Sequence, residues 1–151
     1  MSGAVPTVAE ALASFRAANG LAADETARAT WRCRVGPVTL RLPNFAWRRR
    51  ALAAHDLHHV LTQIPCTLAG ECRMAAWEFG AGPMPHWGAR LFCLPLALAG
   101  ALVAPRRVLA AYRAGCRSRS LHGAAELGPV LAMDLDAARA MLDILPVATR
   151  R

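Results

Sequence analysis

Lysine is absent from this chain. All 18 basic residues other than histidine are arginine, against 10 acidic residues, which leaves a formal net charge of +8. Such a surface attracts anions: phosphate, acidic lipid or nucleic acid. No helix-turn-helix or zinc-finger signature accompanies the arginines at 48–50 or 113–119, so nucleic acid is not expected as a partner. The five cysteines, Cys33, Cys66, Cys72, Cys93 and Cys116, are odd in number and form no C-x-x-C pair. Free thiols in a reducing cytoplasm follow, most of them small apolar filler. Residues 1–10 lack the charged start and long apolar run of a secretory signal. No apolar run reaches the roughly 20 residues that span a bilayer. β-branched residues are sparse and Ala and Leu abundant, which points to a mainly helical fold. No internal repeat divides the 151 residues, so a single domain is expected.

The elements follow from local signals. Thr7 and Glu10 have capping-box spacing and Asn19-Gly20 is a stop, which predicts a helix over 7–19. Residues 21–30 read as a short helix or a loop. Trp31 to Val35 and Val38 to Leu42 alternate around Gly36-Pro37, which predicts a β-hairpin that must pack on helices. Asn44 can cap a helix running to about Gln63, and Thr67 starts a partner helix to about Phe79. Leu91 to Ala104 is apolar, broken only by Pro95, and flanked by Arg90, Arg106 and Arg107. A buried core helix is the plainer reading. The sharper one is a lipid-groove wall, with Leu91, Leu94 and Leu98 on lipid and the arginines at headgroup level. Pro105 opens a helix to about Gly115, and Asp134 caps a last one to about Ile144. The expected architecture is a compact orthogonal helical bundle with a small hairpin before its central helix. Residues 1–43 supply the N-terminal helix and hairpin, and 44–151 the helical core.

What the chain does have is a dense histidine cluster. His55, His58 and His59 fall within five residues, and no histidine precedes them. His55 and His59 are one turn apart on a helix, about 6 Å along its axis, the spacing two imidazoles need to share a metal ion. Asp56 can reach the same ion from the edge of that face, or hold a ligand histidine from behind. Gln63-Ile64-Pro65 breaks the helix, and an antiparallel return brings Glu71 level with the histidines. Glu78, seven residues on, shares the face of Glu71 and is expected to support the site rather than ligate. His58 lies on the other edge and is not assigned as a ligand. His86 and His122 carry no pattern. Trp31, Trp47, Trp77 and Trp87 read as core or interfacial anchors.

Three familiar metal motifs fail. A zincin needs Glu where Asp56 stands, a phosphohydrolase of the H…HD…D kind needs an upstream histidine, and a di-iron bundle needs E-x-x-H. The pattern His55-Asp56-x-x-His59, eleven residues, then Glu71 resembles the signature of the ubiquinone (coenzyme Q) biosynthesis family typified by the fourth Coq protein. Leu61-Thr62 with Pro65, Gly70-Glu71, Trp77-Glu78-Phe79, Gly82-Pro83-Met84 and Tyr112-Arg113-x-Gly115 with Leu121 extend the likeness over roughly 53–121. The loop after Glu78 is shorter than in that family and the last helix starts differently, as in a divergent small bacterial member.

The resemblance implies a helical bundle that binds zinc through His55, Asp56, His59 and Glu71, with Fe²⁺ or Mn²⁺ also suited to such ligands. It implies a polyprenyl quinone precursor or other isoprenoid lipid in an apolar groove, and partnership with the other biosynthetic enzymes. It further implies replacement of a ring C1 carboxylate by hydroxyl, an oxidative decarboxylation. The expected location is the inner face of a bacterial membrane, peripherally bound. A homodimer is compatible with all of this. The alternative is a non-catalytic lipid-binding or scaffold protein with a structural metal, since four protein ligands would close the site.

Overall fold

Thr7 starts the first helix as its spacing from Glu10 predicts. Its hydroxyl accepts from the Glu10 amide at 3.3 Å, and the Glu10 carboxylate accepts from the Thr7 amide at 2.8 Å. The helix, α1, runs Val8–Ala18 and ends at Asn19. The computed structural model describes residues 5–22, 27–35 and 37–145, leaving aside the side chains of residues 33–35. Part of the second helix or loop expected over 21–30 falls on 23–26, outside the described residues, as do the turn residue Gly36 and the thiol of Cys33; residues 27–29 are not helical.

Strands β1 (Thr30–Val35) and β2 (Val38–Pro43) pair antiparallel, with Trp31 opposite Leu42 and Cys33 opposite Leu40. The helices α2 (Ala46–Thr62), α3 (Leu68–Ala81), α4 (Trp87–Val103), α5 (Pro105–Gly115), α6 (Gly128–Leu131) and α7 (Leu135–Met141) follow. The mainly helical fold with one hairpin is therefore as the composition implies. The hairpin is pinned through Trp31, whose ring meets Phe92 of α4 edge-on at 6.1 Å and carries the Arg48 guanidinium at 3.8 Å.

Three expectations are corrected. Asn44 does not cap α2; its amide donates to the Arg28 carbonyl at 2.9 Å, and its oxygen accepts from Arg48 at 2.9 Å. The last helix stops at Met141, and Asp143, at φ 54°, turns the chain away. Third, α4 is not a core helix. Only Gly88, Ala89 and Gly100 of it are buried. Leu91, Leu94, Leu98 and Leu102 form an outward stripe, Leu102 being 86% exposed. Buried positions on α4 go to small residues because α4 lies close against α3 and α5.

The core sits between α1, α2, α3, α5 and the C-terminal segment, with Leu57, Leu61, Met74 and Trp77 almost wholly enclosed. Helices α3 and α5 meet at backbone distance: a Cβ on Gly115 would collide with the Trp77 carbonyl. Gly115→Ala should therefore force the two helices apart and destabilise by about 1–3 kcal/mol, the usual penalty of overpacking. Urea unfolding checks it; an unchanged midpoint would contradict the close approach.

Candidate metal centre

The end of α2 is what aims His59. Gln63 takes up a left-handed conformation, φ 59°, and the chain reverses so that the Ile64 carbonyl points back along the helix. That carbonyl accepts from His59 Nδ1 at 2.7 Å. The proton of a neutral His59 therefore sits on Nδ1, and its Nε2 presents a lone pair. The Arg139 side chain donates to the Leu61 carbonyl at 2.9 Å and to that of Val60 at 3.4 Å, satisfying the frayed end of the helix.

The return is equally constrained. Thr67 caps α3 by accepting from the Gly70 amide at 3.1 Å. A Cβ on Gly70 would strike the Pro65 carbonyl, so only glycine lets the first turn of α3 lie against the bend. Glu71, the next residue, then faces the histidines. His55 Nε2 stands 3.1 Å from Glu71 Oε2 and 3.1 Å from His59 Nε2, and His59 Nε2 stands 3.2 Å from Glu71 Oε1. Behind His55, Nδ1 meets Glu78 Oε1 at 3.1 Å. Both imidazoles thus have the far nitrogen held by an acceptor, which turns both Nε2 atoms to one point.

Two imidazole lone pairs 3.1 Å apart, facing each other beside a carboxylate, repel unless a proton or a metal ion lies between them. Donors of a tetrahedral ion at about 2.0–2.1 Å stand about 3.3 Å from one another, close to the spacing found here. His55, His59 and Glu71 are therefore close enough to hold one metal ion. Charge points the same way. Burial pushes the Glu71 and Glu78 carboxyls up, but the histidines around them outweigh it and hold both below the usual carboxylate range. Burial also opposes a charge on His55, yet Glu78 and Glu71 overrule it and raise its pKa to about 10. Two ionised carboxylates in a sheltered site thus carry charge that a divalent ion would balance.

Asp56 is not brought to this point. Its Oδ2 accepts from Arg16 Nε at 3.0 Å and from the Arg16 terminal nitrogen at 2.8 Å, tying α2 to α1. Nor does it hold a ligand histidine, since Ile64 and Glu78 occupy those nitrogens. Three donors converge, not four. Asp56→Asn should accordingly leave zinc binding within about threefold of wild type, while breaking a largely buried ion pair costs about 3 kcal/mol of stability. Zinc titration beside urea unfolding separates the two roles; a thousandfold loss of zinc affinity would make Asp56 a ligand after all.

His122, which carries no pattern in the sequence, is buried. Its Nε2 meets Glu78 Oε1 at 3.0 Å, and His58 Nδ1 meets the same oxygen at 2.8 Å. His58, Glu78 and His122 also lie within metal-binding distance of one another. However, His58 Nε2 accepts from the Leu121 amide at 2.9 Å. The proton of neutral His58 therefore sits on Nδ1, which makes that nitrogen a donor to Glu78 and no metal ligand. Burial holds the His58 pKa down, consistent with the neutral ring. The Cys93 thiol approaches Glu78 Oε2 at 3.6 Å, and burial together with the Glu78 charge pushes its pKa up to about 12. Burial and Glu71 likewise raise Cys66, to about 11. Both thiols stay protonated. His86, also unassigned, caps α4 and stacks on Trp47 at 4.2 Å.

His55 and Glu71 form the floor of an apolar pocket of about 220 Å³ between α2, α4 and the hairpin, walled by Trp31, Trp47, Phe92 and Leu96. The outward stripe of α4 lies beside it. Arg90 donates to the Met84 carbonyl at 3.2 Å, and Arg106 and Arg107 are exposed at the start of α5. No helix among the described residues is long and apolar enough to cross a membrane.

Comparison adds nothing to this geometry: no known protein family, curated protein or solved structure matches the chain.

Proposed function

We propose that the chain is a metal-binding protein of ubiquinone biosynthesis, which holds a polyprenylated aromatic precursor at the membrane surface. One observation carries the reading: three donors, with both ring tautomers fixed from behind, converge, and two of them, His55 and Glu71, line an apolar pocket. The H-D-x-x-H-x11-E pattern and its flanking residues supply the substrate class by resemblance. His55, His59 and Glu71 would hold the ion, zinc being the first choice and Fe²⁺ or Mn²⁺ compatible. Bound there, such an ion supplies Lewis acidity toward a carboxylate or phenolate.

The residues of the chain do the rest. Trp31, Trp47 and Phe92 enclose an aromatic head group and exclude water from it. A pocket of about 220 Å³ takes a substituted ring but no long isoprenoid tail. The tail would leave along Leu91, Leu94 and Leu98, whose exposed stripe also suits the interface of a membrane, with Arg106 and Arg107 at headgroup level. Because Asp56 is engaged by Arg16, three protein ligands would hold the ion, the number found in sites that bind substrate rather than in closed structural ones. The reaction proposed is oxidative decarboxylation: the C1–carboxylate bond breaks with loss of CO₂, and C1 gains a hydroxyl oxygen. This two-electron oxidation needs an external oxidant such as dioxygen.

Native mass spectrometry of the intact protein tests the reading. One divalent ion together with a copurified isoprenoid lipid is expected. Protein free of stoichiometric metal, or His55→Ala that leaves host ubiquinone unchanged, would overturn it. Metal and lipid without turnover would leave a scaffold in place of an enzyme.

A further inference from the structure

The short 3-10 turn Leu121–Gly123 is tied to the metal centre by two bonds that no sequence motif announces. The Leu121 amide donates to His58 Nε2, and His122 Nε2 reaches Glu78 Oε1. These bonds set protons in a chain. A backbone amide is always a donor, so His58 Nε2 must accept and His58 Nδ1 must carry the hydrogen. Glu78 is fully buried, and its Oε1 lies 2.8 Å from that nitrogen and takes the hydrogen. It also takes one from His122 Nε2 and one from His55 Nδ1. Three imidazole nitrogens thus converge on one oxygen, at 2.8, 3.0 and 3.1 Å, while among the described residues Oε2 meets the Cys93 thiol. The carboxylate is braced from α2 and from the turn, and cannot swing away from His55.

We infer that His122, acting through Glu78, is a positioning residue that keeps the His55 Nε2 lone pair aimed at the metal. The inference rests on the metal reading above but reaches residues outside the ligand pattern. Neither His122 nor the turn touches the ion; their effect is on the tautomer and orientation of His55, the usual work of a carboxylate behind a ligand histidine.

Zinc affinity of the full chain, read by competition with a chromophoric chelator, tests it together with the visible spectrum of the Co²⁺ form. His122→Phe keeps a ring and removes the donor; it should weaken zinc about 10–100-fold and shift the cobalt bands. His122→Gln, which can still donate, should return affinity to within about threefold. In a Glu78→Leu background His122→Phe should do nothing more. A folded His122→Phe protein with wild-type affinity and cobalt spectrum overturns the inference, and so does an equal loss in both backgrounds. A second measurement needs no variant. Nitrogen-15 shifts of the wild-type histidines should show His58 and His55 protonated on Nδ1 in the zinc form, and the opposite tautomers would overturn the inference. Wild-type protein that takes up no zinc refutes the metal reading itself, and is distinguished by that from a failure of the turn's role alone.

Discussion

His59→Ala should lower divalent-metal affinity by about a thousandfold or more, beyond the roughly 10–100-fold that a supporting residue commands. Three side chains supply the donors, so each carries a large share of the binding free energy, and losing one leaves His55 and Glu71 with an ion half open to water. Glu71→Gln should act nearly as strongly while disturbing the packing less, because it keeps the shape and removes only the charge. The comparison matters, since His59 also stacks on Phe15 at 5.5 Å and hydrogen-bonds the Ile64 carbonyl, so that its removal loosens the α1–α2 contact as well. Metal content by elemental analysis after gel filtration, with affinity by chelator competition, checks both variants. Glu71→Gln protein that still carries one zinc per chain would exclude this centre.

Much of the fold was legible because its signals are local. Thr7 and Thr67 are caps that need only the next three residues to be recognised, and both start helices as read. Pro105 and Gly115 bound α5 for the same kind of reason. The ambiguity of α4 is different. Its leucines repeat at three- and four-residue spacing, which fits a stripe turned inward as well as one turned outward. Gly88, Ala89 and Gly100 decide it, because they let α4 sit against its neighbours through its small residues and leave the leucines outside. That choice depends on helix packing, not on periodicity. Asn44 misled for a related reason: its side chain had a better tertiary partner in the Arg28 carbonyl than in the end of α2.

The candidate site divides along the same line. His55, His59 and Glu71 could be picked out because a helix turn and one tight reversal relate them. Asp56 sits in the same motif, and nothing local distinguishes it from a ligand. Its partner, Arg16, lies forty residues away on α1. Glu78 was placed behind the ligands by its seven-residue spacing from Glu71, and it does meet His55. His122 had no such spacing, because a turn beyond α5 delivers it. Long-range ion pairs and turn-borne side chains are therefore what a single sequence conceals, and here they decide how many ligands the ion would have and what orients them.

Metal affinity should climb steeply with pH. In the metal-free protein Glu78 and Glu71 hold a proton on His55 up to about pH 10, although burial opposes it. An ion must displace that proton, so affinity should rise about tenfold per pH unit between pH 6.5 and 9, some hundreds-fold in all. The sign for stability follows. The folded pKa of His55 lies above its unfolded value of 6.5, so the proton stabilises the metal-free fold fully below pH 6.5. That contribution drains away as pH rises toward about 10. The loaded protein has no such proton to lose. The gap in melting temperature between loaded and stripped protein should therefore widen from pH 6.5 to 9, while dye-monitored titration shows close to one proton released per zinc at pH 7.5. A gap that stays constant, with no proton released, would mean that His55 is already neutral without metal, and that the buried carboxylates find their counter-charge elsewhere.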